Sequence, residues 1–153
     1  VIGAKAECFY EAMTLEYKEY IKNVLINAKT MCEEFKQNNV RIVSNDTENH
    51  LMLIDVKNSF GLTGIEAENI LDSICITVNK NTIPYDHEKP TVTSGIRIGT
   101  PAITTRGFNN NDAKEVADII MMALRNKDSE EVLTNCKKKV LVLTQKYPLK
   151  DIK

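Results

Sequence analysis

The sequence predicts an α+β domain. Apolar residues recur at helical spacing near both ends of the chain, and short β-branched runs set off by turn formers occupy its middle. With 153 residues, 42% hydrophobic, the chain is long enough to bury a core without disulfide or metal staples. One domain over 1–153 is expected, with residues 1–13 as a linking helix.

Ile2 to Met13 reads as a separate helix, broken at Met13-Thr14, where Thr14 can cap a second helix. Tyr17, Tyr20, Ile21, Val24, Leu25, Ala28, Met31, Cys32 and Phe35 then keep the three-and-four spacing of one helix face, up to Asn38-Asn39. Val40–Ser44 and His50–Val56 read as strands joined by the turn Asn45-Asp46-Thr47-Glu48. Leu51 to Ile54 is apolar at consecutive positions, which places that strand centrally. Thr63-Gly64-Ile65-Glu66 matches a capping box and starts a helix to Ser73. Ile74–Val78 and Gly95–Thr100 are the third and fourth strands, separated by a long connection from Asn79 to Ser94 that carries Pro84 and Pro90. Connections of that length in compact domains are usually functional or disordered. Asn109 to Asp112 supplies caps for a helix to Asn126 with Val116, Ile119, Ile120 and Ala123 inward, and Asp128 to Glu131 opens a last helix to Lys146.

Lysine plus arginine number 20 against 21 acidic residues, a net charge of −1. That balance argues against nucleic acid and anionic membrane as partners, since both favour a strongly basic face. No apolar run approaches the ~20 residues that cross a bilayer. Cys8, Cys32, Cys75 and Cys136 are widely spaced, with no CxxC pair, so buried reduced thiols are expected and a zinc site is not. Val1 in place of methionine, followed directly by helix-like sequence, suggests a piece of a longer chain.

Gly95-Ile96-Arg97-Ile98-Gly99 is the most informative segment. Alternation along a strand sends Ile96 and Ile98 to one face and Arg97 to the other, in line with two glycines. A guanidinium in such a hollow can hold a carboxylate or phosphate through two parallel hydrogen bonds. The other reading is an internal ion pair with Asp or Glu. Asn79-Lys80-Asn81-Thr82 opens the long connection, where amides suit either a heterocyclic or amide ligand or plain turn chemistry. His50 is expected to be satisfied within the fold, His87 to be exposed beside Asp86 and Glu88, and Lys137-Lys138-Lys139 to form a solvated helix face. The glycines are scattered and form no phosphate loop.

Ile76-Thr77-Val78-Asn79-Lys80-Asn81-Thr82-Ile83-Pro84, Thr93-Ser94-Gly95-Ile96-Arg97-Ile98-Gly99-Thr100-Pro101-Ala102 and Thr104-Thr105-Arg106-Gly107-Phe108 together resemble the C-terminal domain of serine hydroxymethyltransferase. Thr47-Glu48-Asn49-His50-Leu51, Gly61-Leu62-Thr63-Gly64 and the run around Tyr17-Lys18-Glu19-Tyr20 extend the resemblance over nearly the whole chain. It implies the small, antiparallel-rich domain of an aspartate-aminotransferase-like, fold type I pyridoxal-phosphate enzyme. That enzyme would interconvert serine plus tetrahydrofolate with glycine plus methylenetetrahydrofolate. The resemblance further implies that Arg97 binds the substrate carboxylate and that Asn81, with Lys89, Pro90 and Thr91, borders the folate co-substrate. The family commonly has phenylalanine where this chain has Thr91, and often proline at His87. The parent would be a cytoplasmic homo-oligomer, a dimer or tetramer, with organellar forms left open. The family's Schiff-base lysine segment, phosphate loop and pyridinium-pairing aspartate do not occur in this sequence, so the chain alone is expected neither to bind pyridoxal phosphate covalently nor to turn over. A stand-alone amino-acid-sensing module is the alternative.

Overall fold

A computed structural model describes residues 1–149; the last four positions of the expected 1–153 domain lie outside it. Among the described residues, seven helices surround one small antiparallel sheet, as the α+β expectation requires. Helix α1 (Ile2–Ala12) ends at Met13, and α2 (Leu15–Gln37) starts at the Thr14 cap, whose hydroxyl accepts from the Tyr17 N–H at 3.2 Å. None of α1 is buried, and Phe9, Tyr10 and Met13 stand exposed.

The sheet contains β1 (Leu51–Asp55), β2 (Asn79–Asn81) and β3 (Gly95–Gly99) in the order β1-β3-β2. This corrects three expectations. First, β1 is an edge strand and β3 is the centre. Second, Val40–Ser44 forms no strand: only Ile42 bridges to Ile54, and a 3-10 turn at Val43–Asn45 ends the run. Positive φ at Asn39, Ser44 and Asn45 prevents the segment from continuing as an extended strand. Third, Ile74–Val78 is a lead-in and not a strand. Cys75 takes φ +67, and the Cys75 and Ile76 N–H groups turn back onto the carbonyls of Asp72 and Leu71, so pairing begins only at Asn79.

Two short helices were not legible. The expected strand to Val56 stops at Asp55, because that carboxylate accepts from the Asn58 N–H at 2.9 Å and caps α3 (Val56–Phe60). The second, α5 (Pro101–Arg106), was not expected, although Pro101 at its first position and Gly107 past its end at φ +103 are the start and stop chemistry of a helix. The expected capping box at Thr63 and Glu66 is present at the start of α4 (Gly64–Ser73). Asn109 and Asp112 cap α6 (Asn110–Arg125) reciprocally, and Ser129 caps α7 (Glu130–Lys146).

The core lies on one side of the sheet. Met52, Ile54, Ile96 and Ile98 project onto Met31, Phe35, Ala117, Ile120 and Leu124 of α2 and α6. Fully burying a side chain such as Ile96 contributes roughly 1.5–3 kcal/mol, so β3 is fixed from that side. Its end is tied too: the buried Thr100 hydroxyl donates to the Val24 carbonyl of α2 at 2.9 Å. Cys32 and Cys136 are buried as expected, whereas Cys8 and Cys75 are exposed, and all four thiols are free. No helix among the described residues is long and apolar enough to cross a membrane.

Candidate functional site

The sheet face away from the core carries the candidate residues. Arg97 sits in the middle of β3 between Leu53 of β1 and Asn79 of β2; Asn81 pairs with Gly95, and Leu51 with Gly99. Directly paired residues of an antiparallel ladder share a face. Arg97, Asn79 and Asn81 are therefore brought together.

The Arg97 side chain is exposed. It makes no ion pair with a carboxylate of the described residues, so the internal-pair reading is not realised. The acid nearest along the sheet, the fully buried Asp55, is occupied by Arg41 at 3.0 Å and by Asn58. An unpaired guanidinium on a rigid strand keeps its fork of donors for an external anion.

The expected hollow is one-sided. A Cβ at Gly95 would stand 2.7 Å from Ile83 Cγ2 and 2.9 Å from the Asn81 carbonyl oxygen, so Ile83 already fills that end. At exposed Gly99 the nearest atoms lie at 3.5–3.9 Å. Access to Arg97 is thus on the Gly99 side, next to half-buried Leu51.

Of the two roles weighed for Asn81, turn chemistry is the one observed: its amide nitrogen donates to the Thr82 carbonyl at 2.7 Å. Lys80 points to the other face, where Glu68 of α4 accepts both its backbone N–H and its ammonium at 3.1 Å.

Lys89, Pro90 and Thr91 are all exposed at the tip of the connection. The Lys89 carbonyl accepts from the Val92 and Thr93 N–H groups at 2.8 and 2.9 Å, so the three residues form the outer side of a tight turn. Three anchors that sequence reasoning missed hold this connection: Asp86, Glu68 and Gly64. Asp86 accepts from the Ile83, Glu88 and Ser94 N–H groups and from the Ser94 hydroxyl. Burial alone would push the Asp86 carboxyl up, but the Ser94 hydroxyl and three backbone N–H groups bring it down to about 2. Its spacing, an aspartate two residues after proline and eight before serine, was the available signal.

His50 corrects its expectation. The side chain is exposed, and only its carbonyl is used, accepting from the Thr100 N–H at 2.9 Å. His87 is exposed as read, and so are Lys137, Lys138 and Lys139. An apolar cleft of about 310 Å³ lies on the opposite, Ile98 side, walled by Ile76, Ile103, Ile120, Val140 and Leu143. Gly99 also lines it, but Arg97, Asn81, Lys89, Pro90 and Thr91 do not.

The residues here do not by themselves fit pyridoxal phosphate. The two lysines adjoining β3 are engaged, Lys57 with Glu88 at 3.0 Å and Lys80 with Glu68 at 3.1 Å. No buried side-chain nitrogen or oxygen among the described residues lacks a partner.

What the face offers is one free guanidinium and two asparagines, carried by segments that resembled a known family, beside a braced connection. A family model described as serine hydroxymethyltransferase matches residues 1–120, which span the Arg97 strand, the connection before it and the helices up to most of α6. A match over that share of the sequence places the chain in the serine hydroxymethyltransferase family.

Proposed function

We propose that this chain is the C-terminal, substrate-binding domain of an enzyme that interconverts serine plus tetrahydrofolate with glycine plus methylenetetrahydrofolate. The observation that carries this reading is the exposed, unpaired Arg97 at the centre of the sheet, between Leu53 and Asn79. In it, Arg97 holds the amino-acid carboxylate by two parallel hydrogen bonds. Fixing that group orients the bonds at the substrate's α-carbon, a positioning contribution to catalysis. Asn81, with Lys89, Pro90 and Thr91, borders the folate. Pyridoxal phosphate is held elsewhere in the complete enzyme, since the family's Schiff-base lysine segment and phosphate loop do not occur in this sequence; the 153-residue chain alone is inactive. The complete enzyme is a homo-oligomer, a dimer or tetramer, in the cytoplasm or in an organelle.

The test is Arg97→Lys in the complete enzyme. Lysine keeps the charge but loses the planar fork. The serine KM is expected to rise about 10- to 100-fold, about 1.4–2.7 kcal/mol, with the fold intact because the side chain is exposed. Unchanged serine kinetics would overturn the assignment.

A further inference from the structure

Asp86 lies in neither the carboxylate site nor the turn at Lys89, yet it joins the two ends of the connection between them. Its Oδ2 accepts from the Ile83 N–H at 3.2 Å and the Ser94 N–H at 2.9 Å. Its Oδ1 accepts from the Glu88 N–H at 3.0 Å and the Ser94 hydroxyl at 2.6 Å. One carboxylate thus closes residues 83–94 into a loop with a charged centre, and charge-assisted bonds of this kind are about twice as strong as neutral ones.

Both ends of that loop are held by the rest of the fold. At its start, the Ile83 side chain fills the space beside Gly95, two residues from Arg97. At its end, the Gly64 N–H of α4 donates to the Thr93 carbonyl at 2.8 Å, and the Lys57 N–H of α3 donates to the Ser94 carbonyl at 3.2 Å. Lys57 also pairs with Glu88 at 3.0 Å. Between these anchors Pro84, Tyr85 and His87 are exposed, as is the tip, Lys89 to Thr91.

We propose that Asp86 is a positioning residue, which sets where the Lys89–Thr91 tip stands relative to the Arg97 strand and so tunes affinity for the folate co-substrate. The inference rests on the functional reading above. The Asp86 carboxylate is held ionised by its donors, down to about 2, so the brace carries its charge at neutral pH. Arg97 does not depend on it, because β3 is laddered on both sides and packed from below through Ile96 and Ile98. Loss of Asp86 is therefore felt at the tip and not at the guanidinium.

The test compares Asp86→Asn, Ser94→Ala and Arg97→Lys in the complete enzyme, measuring KM for tetrahydrofolate and for serine separately. Asn keeps the shape but loses the charge, and Ser94→Ala removes only the 2.6 Å bond. Asp86→Asn is expected to raise the tetrahydrofolate KM about tenfold and Ser94→Ala about threefold, with the serine KM within about twofold of the parent. Hydrogen exchange at the Ile83, Glu88 and Ser94 amides should quicken in Asp86→Asn, while the Arg97 amide stays protected. If Asp86→Asn does not fold, Ser94→Ala carries the comparison. An unchanged tetrahydrofolate KM overturns the proposal, and so does an equal rise in both KM values, which would mark a merely structural role. These outcomes count against Asp86 alone when Arg97→Lys raises the serine KM; no effect of Arg97→Lys counts against the functional reading itself.

Discussion

Glu68 of α4 holds Lys80 twice, one carboxylate oxygen accepting the backbone N–H and the other the ammonium, each at 3.1 Å. The strand so held, β2, has three residues and lies at the sheet edge, so its own ladder with β3 is short. Asn81 follows Lys80 directly, and its place beside Gly95 depends on this clamp. Glu68→Ala is expected to cost about 1–2 kcal/mol and to speed hydrogen exchange at Lys80. The Lys80 backbone bond, ahead of the ammonium contact, lowers the Glu68 carboxyl. Its contribution is therefore present above the ordinary glutamate value and fades as pH falls through the lowered one. Unaltered Lys80 exchange in Glu68→Ala would refute the clamp.

Gly64 is irreplaceable for a different reason. A Cβ there would run into the Thr93 hydroxyl and stand 2.5 Å from the Gly95 carbonyl oxygen. Neither can yield freely, because the Gly64 N–H itself donates to the Thr93 carbonyl and Gly95 is part of β3. Gly64→Ala should lose about 1–3 kcal/mol through overpacking. Gly3, inside α1 with nothing within 4 Å of its would-be Cβ, supplies the control. Gly3→Ala should be neutral or gain about 0.5–1 kcal/mol. Urea unfolding midpoints separate the two, and equal midpoints would refute the close-approach argument.

Local signals explain what the sequence revealed. Thr14, Thr63, Asn109 and Ser129 each carry their helix start in one side chain, so those boundaries were legible to within a residue or two. Arg97 was legible for the same reason, since strand alternation is a rule of neighbours. Sheet order was not. Leu51 to Ile54 looked central because its run is apolar, but the covering on its outer edge comes from Arg41 and Ile42, a segment whose positive φ values sequence alone does not show. The hollow at Arg97 was half right because Ile83, twelve residues from Gly95, fills one end of it. Asp86 was missed because its importance lies in joining Ile83 to Ser94, a relation that exists only once the connection is folded.

A final prediction concerns the helical layer beneath the site. Glu34 of α2 is nearly buried, and its two oxygens already accept from Lys114 at 3.0 Å and Asn38 at 2.9 Å. Asp118 of α6, one turn beyond Lys114, meets the same carboxylate. Burial pushes the Asp118 carboxyl up, and the Glu34 charge and hydrogen bond push it further, against the opposing pull of Lys114 and Lys139. An acid raised in the folded state binds its proton more tightly there than in the unfolded chain. The contribution of Asp118 to stability is therefore greatest below the ordinary aspartate value and declines as pH rises through the raised one. Asp118→Asn removes the repulsion while keeping the shape. It is expected to be more stable than the parent at pH 7 by about 0.5 kcal/mol, the size of a like-charge contact between helix neighbours. The two proteins should converge near pH 3, below the ordinary aspartate value of about 3.9. Thermal unfolding at the two pH values checks this, and a variant less stable than the parent at pH 7 would show that the Asp118 charge supports the α2–α6 contact.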